Sequence, residues 1–232
     1  MEAKKYYFLE SKNNVADLYI FGDITSWPWN ESDVSASGIV KELQSLEVSE
    51  INVHINSYGG EVAEGLAIYN TLKNSNMKVT TVCDGFACSA ASVIFMAGDE
   101  RVINEASLLM IHNAWTYTSG NAEELRKAAE DLDKITQASV NAYMSRVSIS
   151  EDKVRELMDN ESWITADEAV EYGFATKTEK NDDDGIKQSA FGIIRNAVTK
   201  TEIAPVQQAE LVVDILNLYL STRCNRQHFA IL

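Results

Sequence analysis

Asp84-Gly85-Phe86-Ala87-Cys88-Ser89-Ala90-Ala91-Ser92 is a run of small residues between two apolar segments. Ahead of it, Lys78 to Cys83 is rich in valine and threonine and has the length of a buried strand. Behind it, Val93-Ile94-Phe95-Met96-Ala97-Gly98 is apolar on all sides, as in a helix enclosed by a core. A strand, a glycine turn and a buried helix place Ser89 at or beside the helix start. Backbone N–H groups there lack intrahelical partners, and the helix dipole favours negative charge. A hydroxyl at that spot serves as a nucleophile or as an ordinary N-cap, and the local residues alone favour the cap.

Upstream, Leu18 to Gly22 reads as a strand ending at a glycine, followed by a Trp27-Pro28-Trp29 loop. The loop tryptophans read first as cover for a core edge, with a contact surface as the alternative. Ser32 or Asp33 is placed to cap a helix with apolar Ala36, Ile39, Val40, Leu43 and Leu46 at helical spacing. Ile51 to Asn56 alternates apolar and polar, putting His54 on the polar face with Asn52 and Asn56. Ser57-Tyr58-Gly59-Gly60 follows, a turn that admits unusual dihedrals and close backbone approach to a ligand. A helix through Val62, Leu66, Tyr69 and Leu72 leads back to the opening stretch. Strands alternating with helices predict an α/β domain with mostly parallel strands. In such sheets ligands sit beyond the carboxyl ends of the strands, where both glycine turns fall.

Downstream, Arg101–Ile103 and Ser107–Ile111 read as strands, the second ending at His112. A helix is predicted over about 121–146, with Asn121 and Glu124 forming a capping box and a largely charged surface suited to packing on another subunit. Ser150 caps a short helix, Trp163-Ile164 is a strand fragment, and Thr165 to Glu168 is a second capping box for a helix stopping at Gly173. The division expected is one main domain at 1–178, an acidic linker at 179–187 around Asp182-Asp183-Asp184, and a helical appendage at 188–232.

Composition narrows the function. A net charge of −15 disfavours nucleic acid or an anionic membrane as main partner. No apolar run approaches the ~20 residues that cross a bilayer, and the start of the chain does not read as a signal peptide. Cys83, Cys88 and Cys224 share no metal-ligand spacing, so no metal or other cofactor is expected and a reducing cytoplasmic setting is the simplest reading. Of the three histidines, His228 lies in the tail and His54 on a strand's polar face, whereas His112 ends a strand at the sheet edge of Gly60 and Ser89. A serine, a base and backbone N–H donors are what acyl transfer requires. Ser89 as nucleophile, His112 as base, and the N–H groups of Gly60 and Ala90 as oxyanion donors satisfy that list. Ser92 competes for the nucleophile role, but its hydroxyl sits where it would bond back to a helix carbonyl. Cys88 reads as a buried filler with a reactive thiol as the alternative.

The glycine four residues before Ser89 does not form the Gly-x-Ser-x-Gly elbow. The residues instead resemble the Clp-type serine peptidases. Asn56-Ser57-Tyr58-Gly59-Gly60 is similar to that family's Asn-Ser-Pro-Gly-Gly turn. Gly85 to Ser89 is similar to its Gly-x-Ala-Ala-Ser segment, Met110-Ile111-His112 to its Met-Ile-His segment, and Glu168 to Gly173 to its Glu-Ala-x-x-Tyr-Gly signature. The resemblance spans about residues 15–178. It implies a crotonase-like (Clp protease-type) α/β spiral of ββα units with a projecting handle helix, and a Ser89–His112–acid triad. The acid is an aspartate in the family; the matching position here is Glu161, with Asp159 as runner-up. It further implies peptide or protein substrates and homo-oligomeric rings, in some members two stacked layers.

Tyr58 in place of proline, the Trp27-Pro28-Trp29 segment and the tail are departures that put docking to an ATPase partner in question. Phage and prophage members are similar in carrying a glutamate at the position of Glu161, and these process capsid or scaffold proteins during head assembly. The alternatives are a housekeeping-type subunit working with an ATPase, a crotonase-type acyl-CoA enzyme, and a non-catalytic assembly subunit.

Overall fold

Eight strands build one sheet whose central members are parallel, and its carboxyl edge carries the residues singled out above. The computed structural model describes residues 9–12, 14–30 and 32–180. The expected appendage, His228, Cys224 and the linker beyond Lys180 lie outside the described residues. The elements run β1 (Leu9–Lys12), β2 (Val15–Ile20), α1 (Ala36–Gln44), β3 (Glu50–Ser57), α2 (Val62–Lys73), β4 (Lys78–Cys88) and α3 (Ala90–Phe95). They continue with β5 (Glu100–Asn104), β6 (Leu108–Ile111), α4 (Ala122–Met144), α5 (Glu151–Asp159), β7 (Ser162–Ile164), α6 (Ala166–Glu171) and β8 (Lys177–Glu179). The strand order is β1-β2-β3-β4-β5-β8, with β6 pairing β4 and β7. The pairs β2–β3, β3–β4, β4–β5, β4–β6 and β5–β8 are parallel, as the alternation of strands and helices predicts.

The central strands are buried because helices cover the sheet. Ile51, Val53 and Ile55 of β3, Ile68 and Leu72 of α2, and Ile94 and Phe95 of α3 are all at most 1% exposed. Each such side chain contributes roughly 1.5–3 kcal/mol relative to exposure.

Several expectations are corrected. Gly85 does not end a strand: β4 runs on to Cys88 and changes partners, its second half pairing Phe86–Cys88 with Leu108–Met110. A register shift between Ile55 and Ser57 accommodates the bend, and Asn56 Oδ1 accepts the Phe86 N–H at 3.2 Å. The first helix is capped by Ser35, whose hydroxyl accepts from Gly38 N–H at 3.2 Å. Ser32 and Asp33 fall short of the cap position, which is the residue directly before Ala36; Asp33 Oδ2 instead accepts the N–H groups of Trp29 and Asn30. Trp27 and Trp29 cover no core edge; they are 70% and 84% exposed. The β1 strand escaped the sequence reading because a tight turn with Asn14 at φ 67 folds two short strands together. Glu179, expected to open the acidic linker, instead ends β8, whose Lys177–Glu179 pair with β5 as an edge strand where alternating exposure tolerates charge.

The long helix α4 is capped as expected, Asn121 and Glu124 exchanging both bonds of a capping box. Its buried residues, Thr136, Ser139, Val140, Ala142 and Tyr143, all lie in the second half. The first half therefore projects from the domain.

Candidate active site

Ser89 sits between the end of β4 and the start of α3 with φ 52 and ψ −124. A side-chain-bearing residue at such a φ is strained and persists where surrounding contacts over-determine it. Those contacts are visible. The Ser89 N–H donates to Met110 O at 2.8 Å, tying the turn to β6. Its carbonyl accepts from the N–H and the hydroxyl of Ser92, at 2.9 and 2.6 Å. The Ser89 hydroxyl makes no capping bond to the helix, so the N-cap reading does not hold. It faces His112 Nε2 at 2.8 Å instead.

Ser92 behaves as the sequence suggests, bonding back to a carbonyl, and that bond extends further. With its own proton given to Ser89 O, its oxygen accepts from the Tyr143 hydroxyl at 2.8 Å. Ser92 and Tyr143 are each 1% exposed. Tyr143→Phe is therefore expected to cost about 1 kcal/mol of stability by removing one buried hydrogen bond. Denaturant unfolding at fixed protein concentration should show a lower midpoint with an unchanged slope.

His112 follows the last residue of β6 and is half-buried. Burial pulls its pKa below the usual histidine value, and the Glu161 carboxylate acts in the opposite direction. The position of Glu161 follows from strand register. β6 and β7 pair antiparallel as Leu109↔Ile164, Met110↔Trp163 and Ile111↔Ser162, so one step further sets His112 opposite Glu161. Glu161 has φ 47, a turn conformation that ends α5 and opens β7. It is exposed, and no hydrogen bond joins it to His112 among the described residues. Asp159 is committed elsewhere, its Oδ1 accepting from Asn113 Nδ2 at 2.8 Å.

The Gly-Gly turn lies against this pair. Gly59 and Gly60 have φ 96 and 146, and a Cβ on Gly59 would come within 2.8 Å of Ser89 Cβ. A Cβ on Gly60 would lie 2.0 Å from Ile24 O. Ser57 does the bracing that a proline would give, donating to Gly22 O at 2.6 Å and accepting the Gly59 N–H at 3.0 Å. The N–H groups of Gly60 and Ala90 have no backbone acceptor among the described residues. Ser89, His112, Gly59 and Gly60 border one cleft of about 590 Å³, with Tyr58, Glu61 and Trp115 among its other walls. The sequence reading named none of these three as cleft walls; Glu61 and Tyr58 flank the glycines directly, which was the available signal.

The other candidates are not brought here. His54 is not solvated on a polar face: it is 6% exposed, bonded through Nδ1 to Asp84 Oδ2 at 2.8 Å and stacked on Tyr19 at 4.7 Å. Cys88 is fully buried, and burial pushes its thiol up to about 11, so it is protonated at neutral pH. Among the described residues no group of three or more His, Cys, Asp or Glu side chains is arranged to hold a metal. No helix among them is long and apolar enough to cross a membrane.

A strained serine hydrogen-bonded to a histidine beside free backbone N–H groups, on a largely parallel α/β sheet, is a hydrolase-type arrangement. The Clp protease family model matches residues 26–182. The chain is 35% identical over 179 residues to the ATP-dependent Clp protease proteolytic subunit of Bacteroides thetaiotaomicron, covering 72% of this chain and 81% of that one. It is 34% identical over 144 residues to the subunit of that name from Deinococcus radiodurans, covering 60% and 71%. The corresponding subunit of Porphyromonas gingivalis is 33% identical over 156 residues, covering 64% and 70%. The chain belongs to the Clp protease family. Membership makes it a peptidase, with the Clp-type α/β fold.

Proposed function

We propose that this chain is a serine endopeptidase in which Ser89 attacks the scissile carbonyl, His112 takes its proton and Glu161 stabilises the resulting imidazolium. The oxyanion is held by the N–H groups of Gly60 and Ala90. The observation that carries the reading is the 2.8 Å contact between Ser89 Oγ and His112 Nε2 at a residue held at φ 52. Glu161 is preferred over Asp159 because register sets it opposite His112 and its charge acts on that ring. Substrate closure then draws the carboxylate onto Nδ1, since triad bonds tighten in the bound complex.

The acid limb of kcat/KM tests the assignment. His112 must be neutral to act as base, so activity is lost as pH falls through its pKa. Burial lowers that pKa, so the midpoint should lie below about 6.5. Glu161→Gln removes the group that holds the pKa up, so the midpoint should move further down while kcat falls. A midpoint unmoved by Glu161→Gln and moved by Asp159→Asn would hand the third position to Asp159.

The reading extends to a homo-oligomeric chamber of rings, in one or two layers, in which the projecting first half of α4 packs on another copy. Leu125, 44% exposed, is an apolar side chain of that half that such packing would cover. The domain division follows the same reading, a peptidase at 1–178, a linker at 179–187 and an appendage at 188–232, with the first boundary moved past Glu179, which belongs to β8. The physiological setting proposed is the cytoplasm or an assembling phage head, where the chain cuts capsid or scaffold protein; the glutamate at position 161 supports that branch. A second reading, a subunit working with an ATPase, is favoured by the names of its relatives. Cleavage of a capsid precursor at discrete sites without nucleotide supports the first; processive loss of substrate that needs an ATPase supports the second.

A further inference from the structure

The cleft beside Ser89 and His112 has walls of a definite chemistry. Glu61, Asp23, Tyr58 and Trp115 line it, and no lysine or arginine does so among the described residues. The Glu61 carboxylate is held in place, Oε1 accepting from Thr25 Oγ1 at 2.9 Å and Ser26 Oγ at 3.1 Å. Both hydroxyls favour its ionised form. The anchoring uses one oxygen and leaves Oε2 for a donor from outside.

Tyr58 and Trp115 are 68% and 65% exposed, yet neither ring hangs free. Tyr58 meets Phe86 edge-to-face at 5.7 Å, and Trp115 meets Tyr117 at 5.1 Å. Braced aromatic rings and an anchored carboxylate in one cleft complement a cationic side chain, through cation–π contact and charge-assisted hydrogen bonding.

The geometry points to a substrate subsite for a basic side chain, in which Glu61, with Tyr58 and Trp115, selects polypeptides carrying arginine or lysine within a residue or two of the scissile bond. This rests on the peptidase reading and gives that site its substrate class. Glu61 immediately follows the Gly60 oxyanion donor, so a peptide whose carbonyl reaches Gly60 carries its nearest side chains past Glu61.

The test uses the full-length assembled protein and internally quenched peptides carrying arginine, leucine or glutamate in turn at the two positions on either side of the scissile bond. At one position the arginine peptide should exceed the leucine peptide in kcat/KM by about tenfold, as expected of a charge-assisted contact. That ratio should shrink as salt is raised. Glu61→Gln should bring it close to one, and Glu61→Lys should invert it in favour of glutamate. Any general effect on the Gly60 turn divides out of the ratio. No preference for arginine at any position, or a preference that survives Glu61→Gln, overturns the subsite while leaving the peptidase reading intact. Failure of a fluorophosphonate to label Ser89 overturns the peptidase reading, and the subsite with it.

Discussion

Ser89→Ala is expected to lower kcat for peptide hydrolysis by roughly 10³–10⁶-fold, the range set by loss of a nucleophile that acts as a unit with its base. The structure explains why no neighbour substitutes. Ser92 is buried, its proton engaged with Ser89 O and its oxygen with Tyr143. Cys88 is buried and protonated at neutral pH. His112→Ala should cost nearly as much, and the double variant little more than either single one, because the pair works jointly. Additive losses in the double variant would mean that the 2.8 Å contact is not the working arrangement. Circular dichroism should leave both single variants folded, since Ser89 Oγ and the half-buried His112 ring contribute little to the core.

Gly60→Ala should also be strongly damaging, though less so, and by a different route. The new Cβ would meet Ile24 O at 2.0 Å and Ile24 C at 2.9 Å, so backbone must move on one side or the other. It would also impose an L side chain at φ 146, a region open essentially to glycine. The turn is held from three directions: Ile24 N–H donates to Gly59 O, Glu61 N–H donates to Ile24 O, and Ser57 accepts the Gly59 N–H. Displacing it carries the proposed oxyanion donor away from Ser89, which is worth about 10²–10³ in kcat. The same strain should lower stability by about 2 kcal/mol or more. Ser57→Ala, which removes the brace and leaves the dihedrals unstrained, should cost less on both measures. Equal kcat in wild type and Gly60→Ala would remove Gly60 from the oxyanion site.

The sequence made the sheet edge legible because glycine pairs, strand-end residues and capping boxes are local signals. Asn121–Glu124 and Thr165–Glu168 both form the boxes their spacing suggests. Ser89 and His112 could be paired in advance because a helix-start serine and a strand-end histidine were both expected at the carboxyl edge of one sheet. What stayed hidden depends on tertiary contact. The run of β4 through Gly85 needs β6 as a new partner, and nothing local to Phe86 announces it. His54 lies on a face with two asparagines, and only the approach of Asp84 from β4 makes that face a buried polar cluster. The bond from Tyr143 to Ser92 links residues far apart in the chain, so no window of sequence contains it. Glu161 was reached by matching a motif, and register gives it an independent physical reason, the continuation of β6–β7 pairing past Ile111↔Ser162.

Catalysis here rests on Ser89 as a nucleophile activated by His112. The most direct measurement of that role is intact-mass and peptide-mapping mass spectrometry after treating the assembled full-length protein with a fluorophosphonate. One phosphonyl adduct per chain on Ser89, formed more slowly as pH falls through the His112 titration and absent from Ser89→Ala, is the predicted result. An adduct on another residue, or labelling undiminished in Ser89→Ala, would contradict it.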